Sequence, residues 1–258
     1  WPLALSGIFA TIYTNTDSTI LGLWKLFDQV GYYNAAQKII ALAVLPAGLI
    51  ATAFFPALSK HSDTDIPKTQ KIFDYQNIIL LALSIPIIVG GFILANGIIL
   101  HIYGATYLPA VLALKILLFM AGISYFSTAF GNILLIYNQQ KNAFWAYFWG
   151  AIINVPLDVL WISKWGFYGA AWATVATSLL SMLLLAYFTK KYTPLKLVDR
   201  SLTKYLVVII AGSALMGFVL LNLASKNVNV VLKVFLGALT YSACVVPVWF
   251  VSQKHSIV

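Results

Sequence analysis

Charged residues are missing from this chain in long blocks. No Asp, Glu, Lys or Arg falls between Gln76 and Leu100, or in Ile39–Ser59, Ile116–Gln140, Trp165–Thr189, Tyr205–Ser225 and Val234–Gln253. Each block reaches the roughly 20 residues that a helix needs to cross a bilayer at about 1.5 Å per residue. Two further apolar segments are each interrupted by one acid, Asp17 in Pro2–Trp24 and Asp158 in Asn142–Ser163. The pattern predicts eight spans, near 2–24, 32–59, 76–100, 108–137, 142–163, 166–189, 204–224 and 229–252. The expected fold class is all-α, a polytopic membrane helical bundle.

Composition closes off the alternatives. With 61% hydrophobic and 9% charged residues and a mean hydropathy of +0.90, there is too little polar surface for a soluble domain of this size. Eight spans joined by short loops also leave no room for one. Cys244 stands alone in an apolar run, so no disulfide framework is expected. The chain opens on Trp1 inside an apolar span, and further residues are expected upstream.

The net charge of +9 does not mark a nucleic-acid binder, because the cations are dispersed over loops instead of forming one basic face. They report orientation instead. Alternate loops and the C-terminal tail hold Lys60, Lys68, Lys71, Lys141, Lys190, Lys191, Lys196, Arg200, Lys204 and Lys254, against Lys25, Lys164 and Lys226 in the others. The positive-inside rule places the richer set, and with it the C-terminus, in the cytoplasm of a cell-membrane protein. Two cytoplasmic connectors have some length. In the first, Asp65 and Pro67 are placed to start a short helix whose Ile66, Ile72 and Phe73 could lie on the membrane surface. The second, Lys190–Lys204, separates six spans from a final pair.

Ionisable groups at membrane depth carry the chemistry. A charge in hydrocarbon costs at least about 2.5 kcal/mol, so it normally faces a wet cavity or a partner. Helical rise places Asp17, Lys38 and Lys115 about 10 Å below the outer boundary and Asp158 about 8 Å, in one common layer. A hairpin centred near residues 27 and 28 would set Asp17 opposite Lys38. Two readings follow. The lysines could snorkel to the interface while the acids pair with them. Alternatively, all four could line a hydrated cavity in which lysines meet an anionic group such as phosphate and acids meet hydroxyls.

Asn142, Ala146, Gly150, Asn154 and Asp158 recur every four residues, as one helical face. Ser6, Ala10, Tyr13, Thr14 and Asp17 make a second such stripe. Faces of this kind are helix contacts joined by hydrogen bonds, or cavity walls where Tyr13 and Asn154 could meet sugars. Gly166, Gly169, Ala170, Ala173 and Thr177 make a close-packing face in the sixth span. Pro46, Pro86, Pro156 and Pro247 bend spans. No nucleophile has a base at a recognisable spacing, and no phosphate loop, cofactor motif or metal-ligand cluster stands out, so an enzyme is not expected.

Two stretches carry a resemblance. PLALSGIFATIYTNTDSTILGLW with VGYYNAAQKIIALAVLPAGLIATAFFPALSKH, through Asp17, Gly31, Tyr33, Ala35, Ala36, Phe55, Pro56, Leu58 and Ser59, resembles the seventh and eighth helices of polysaccharide biosynthesis flippases. These are the O-antigen branch of the multidrug/oligosaccharidyl-lipid/polysaccharide exporter superfamily. GNILLIYNQQKNAFWAYFWGAIINVPLDVLWISKWGFYGAAWAT is similar to the family's Asn-x-x-Leu-Asn, Ile-Pro and Gly-x-x-Gly-Ala-Ala-x-Ala-Thr signature. It departs from that signature at Asp158, where the family has Asn, and at Ile162-Ser163.

The resemblance implies a C-terminal six-helix lobe over residues 1–192, an extra helix pair over 193–258, and a missing N-terminal lobe. It implies movement of polyprenyl-pyrophosphate-linked glycan across the cytoplasmic membrane, with membrane lipid as the other partner. Lys38 and Lys115 are the implied pyrophosphate contacts, and Asp17, Asp158, Asn154 and Tyr13 complete the candidate cavity. A cation-coupled multidrug exporter of the same fold and a non-catalytic membrane scaffold of a polysaccharide synthesis complex remain the alternatives.

Overall fold

The computed structural model describes residues 15–197, 200–224 and 228–254. The chain runs through α1 (15–23), α2 (Phe27–His61), α3 (Ile66–Tyr103), a 3₁₀ turn (Ala105–Tyr107), α4 (Ala110–Ile136), α5 (Gln140–Trp165), α6 (Phe167–Tyr192), α7 (Arg200–Ala224) and α8 (Val230–Lys254). Among the described residues seven helices are long and apolar enough to cross a membrane. The protein is a multi-pass all-α membrane protein.

Local chemistry sets the ends of these helices. The Asp65 carboxylate accepts the Lys68 backbone N–H at 3.0 Å and caps α3. Gly166 ends α5 and opens α6 in the left-handed region at φ +58, and the Gln29 side-chain oxygen lies 2.3 Å from where a Cβ would stand. That same oxygen accepts the Phe167 backbone N–H at 3.0 Å, so only glycine fits the α5–α6 corner.

The expected surface helix after Pro67 is instead the first turns of α3, a continuous helix of 38 residues. Nothing breaks it, because no glycine and no further proline intervenes before Pro86. Phe73 does not lie on the membrane surface. It is fully buried and packs on Phe130 with ring centroids 6.4 Å apart.

α4 runs through the middle of the bundle, packed by α2, α3 and α6, and α5 lies on the outer side of α6. One core, around Tyr33, Leu114, Leu117 and Phe167, fills the end where α5 turns into α6. A second, around Leu58, Phe73, Tyr125, Leu134 and Leu185, fills the opposite end. α7 and α8 pack on each other and on α3, through Leu94, Met216, Leu220 and Tyr241. The long α3 therefore packs on α4 along one side and on α7 and α8 along another.

Candidate functional site

The acid-bearing helices meet because two of them carry no bulk where they touch. Ala146, Gly150, Asn154 and Asp158 of α5 are all buried. A Cβ on Gly150 would stand 2.0 Å from the Ser181 hydroxyl oxygen, and one on Gly169 of α6 would stand 2.2 Å from the Trp161 carbonyl oxygen. The small-residue faces of both spans are thus one helix contact, with backbones close enough to aim Asn154 and Asp158 at α6.

Asp17 of α1, 2% exposed, enters this corner from the other side. Its Oδ2 accepts from the Tyr33 hydroxyl of α2, and the Thr174 hydroxyl of α6 lies 2.9 Å from the same oxygen. The Tyr33 and Thr174 hydroxyl oxygens are 3.1 Å apart. The Asp158 carboxyl, fully buried, is a close neighbour of the Asp17 carboxyl. One turn away, the Asn154 amide nitrogen is 3.5 Å from the Thr177 hydroxyl.

Four helices therefore converge on two carboxyl groups, an amide and three hydroxyls. Four of the buried oxygens, Asp17 Oδ1, both of Asp158 and Asn154 Oδ1, accept no hydrogen bond from the described residues. Two carboxylates in contact away from water repel each other strongly. The arrangement closes when a proton lies between them or when a small hard cation takes the unsatisfied oxygens as ligands, since carboxylate, amide and hydroxyl oxygens are the donors such ions prefer.

The lysines do not join this cluster. Asp17 meets Tyr33, Thr174 and Asp158, and among the described residues none of its partners is a lysine. The hairpin is tighter than hydropathy suggested. Lys25, at φ +61, turns the chain, and the Ser18 hydroxyl donates to Asn34 Oδ1 at 2.7 Å, so Asp17 stands opposite Tyr33. Lys38 lies five residues further along α2, about 7.5 Å, and its exposed face also carries exposed Leu42, Leu45 and Leu49. Lys115, half-buried, points into the α3–α4 seam with its ammonium 4.8 Å from the Phe92 ring centre. Tyr13 lies outside the described residues.

Tyr33 and Thr174 are the site residues that depth reasoning missed. Both stand inside the motif stretches, Tyr33 in Val30–His61 and Thr174 as the last residue of the glycine-alanine signature. Their place in those motifs was the available signal.

Solved membrane transporters share this fold. Over 97% of this chain and 53% of theirs, it superposes on the structure described as lipid II flippase MurJ in an inward closed conformation, with a TM-score of 0.78 and 18% identity. A MOP superfamily transporter from Pyrococcus furiosus matches at a TM-score of 0.65 with 20% identity, over 84% of this chain and 51% of that one. A multidrug resistance MATE transporter matches at 0.60 with 19% identity, over 81% and 50%.

In sequence, the family described as polysaccharide biosynthesis protein matches residues 1–112. Two Haloferax volcanii proteins are similar. The probable low-salt glycan biosynthesis flippase Agl15 is 24% identical over 92% of this chain and 51% of its own length. The probable flippase AglR is 29% identical over 89% and 49%. The chain is thus similar to a polysaccharide biosynthesis family over residues 1–112 and to two probable flippases over most of its length. It spans about half the length of these curated relatives.

Proposed function

We propose that this chain is the C-terminal part of a flippase that carries lipid-linked oligosaccharide or polysaccharide repeat units across the cytoplasmic membrane, driven by a cation at the Asp17–Asp158 pair. The observation that carries the reading is the set of buried oxygens without donors on α1 and α5. A site completed only by a proton or cation changes how tightly α1 is held to α5 and α6, and that is a switch transport can use. The family relationship supplies the glycan, and the basic loops favour a cytoplasmic C-terminus.

In this reading residues 1–192 form one six-helix lobe and 193–258 an added pair. A second lobe from the remaining length faces α1 and α2. Lys38, exposed on α2 among leucines, offers an ammonium to a lipid pyrophosphate, and Lys115 a second, less open one. The activity is transport, not chemistry on the glycan.

The test is made in the full-length protein. Lys38→Ala is expected to abolish surface glycan while the protein stays in the membrane at its normal level. Normal glycan output from Lys38→Ala, Lys115→Ala and the double variant would remove the pyrophosphate contact. Increased sensitivity to cationic drugs with unchanged glycan in a deletion strain would instead establish the multidrug reading.

A further inference from the structure

The last turns of α3 run beside the start of α8. A Cβ on Gly97 of α3 would stand 3.2 Å from Val230 Cγ2 of α8, so the two helices nearly touch there. Around this contact lies a cavity of about 690 Å³, within the range of small-ligand sites. Asn96 and His101 from α3 and Asn229 and Lys233 from the start of α8 line it, with apolar neighbours that include Ile93 and Leu94. No acidic residue occurs between Asp74 and Asp158 or after Asp199, so neither segment that builds the cavity, 93–101 or 228–233, offers a carboxylate. They offer the Lys233 ammonium and the His101 imidazole, which carries at least one N–H in either protonation state. The Asn229 Oδ1 accepts the Val231 backbone N–H at 3.0 Å, and the donor this side chain brings is its N–H₂. Donors with no acid among them select an anion, and a compact ammonium suits phosphate.

Depth points to the source of that phosphate. The uncharged block in α3 ends at Leu100, just before His101, and the block in α8 begins at Val234, just after Lys233. Both groups therefore stand where hydrocarbon gives way to head groups, at the end of α3 far from the Lys60–Ile66 connector. Leu94, buried, lies seven residues below His101, about 10 Å deeper in the bilayer. A cationic mouth over an apolar floor fits the phosphate and first methylenes of a lipid, whereas a soluble anion would use the mouth alone.

We propose that this cavity binds the phosphate head group of an anionic bilayer lipid. Lys233 and His101 hold the phosphate, the Asn96 and Asn229 amides donate to phosphate and glycerol oxygens, and the upper part of a chain rests on Ile93 and Leu94. The site is separate from the transported cargo and from the acid pair.

The test uses the full-length protein in mild detergent, stripped of lipid and titrated with dioleoyl phosphatidylglycerol or dioleoyl phosphatidylcholine at constant ionic strength. Bound lipid is counted by native mass spectrometry. The tightest equivalent is expected to be phosphatidylglycerol, held at least about fivefold more strongly than phosphatidylcholine, the preference that one lysine at an anionic head group supplies. Lys233→Gln is expected to lower its retention about fivefold and His101→Gln at least about twofold. Lys191→Gln, in the last turn of α6 and no part of the cavity wall, is expected to leave it unchanged. Equal retention of the two lipids, retention unchanged in both cavity variants, or an equal loss in Lys191→Gln would each overturn the assignment. So would displacement of phosphatidylglycerol by millimolar inorganic phosphate, the mark of a soluble anion, or by an equimolar polyprenyl phosphate, the mark of the cargo. If Lys233→Gln does not fold, His101→Gln decides.

Discussion

The acid pair makes a quantitative demand on Asp158→Asn. Two ionised carboxylates about 4 Å apart repel by about 4 kcal/mol at an effective dielectric near 20. Asp17 and Asp158 are both buried, and three of their four oxygens accept nothing. A bound cation relieves that repulsion. An asparagine at 158 relieves it permanently, because its amide N–H₂ can donate to Asp17 Oδ1 across the same gap. If the site takes sodium, wild-type stability rises by RT ln(1 + [Na⁺]/Kd), about 1.4 kcal/mol at ten times the dissociation constant. At about 2–4 °C per kcal/mol for a chain of this size, the unfolding midpoint shifts by about 3–6 °C.

Purified protein is therefore melted in sodium chloride and in N-methylglucamine chloride at matched ionic strength, followed by tryptophan fluorescence. Wild type is expected to show the shift, and Asp158→Asn to show none while matching or exceeding wild type without sodium. An equal sodium shift in both proteins, or an Asp158→Asn variant that melts below cation-free wild type, would refute the reasoning. Absence of any shift in wild type, with the same ranking of the cation-free proteins, would assign the pair to a proton instead.

Other outcomes follow from the same geometry. Tyr33→Phe removes a hydroxyl that bridges Asp17 and Thr174. It is expected to cost about 0.6–2 kcal/mol of stability and to weaken the sodium shift, read in the same melt. Gly166→Ala places a methyl on Gln29 at a positive φ, and a loss of about 1–3 kcal/mol in denaturant titration is expected. Gly169→Val forces α6 off the Trp161 carbonyl. Reduced cross-linking of cysteine pairs placed across α5 and α6 is the expected readout, with surface glycan lost in cells. Asp65→Ala removes the α3 cap and should cost about 1 kcal/mol without touching transport.

Much of this was legible along the chain. The uncharged blocks located the spans, because bilayer thickness and helical rise convert hydropathy directly into helix length. Asp65 marked a helix start by local capping. The four-residue repeat from Asn142 to Asp158 marked a contact face, and Asp17 and Asp158 stood out as acids at membrane depth. All of these follow from period and composition, which act within one helix.

What a one-dimensional reading could not supply was rotation about the helix axes. Depth placed the two acids and two lysines at one level, yet the acids met each other and the lysines turned elsewhere. Asp17 joins Thr174 from 157 positions away, and it does so because glycine and alanine let α5 and α6 approach until both acids face the same gap. Lys115 is turned to Phe92 by the packing of α3 on α4. Side-chain bulk at helix crossings sets those angles, and only in the assembled bundle do such crossings occur.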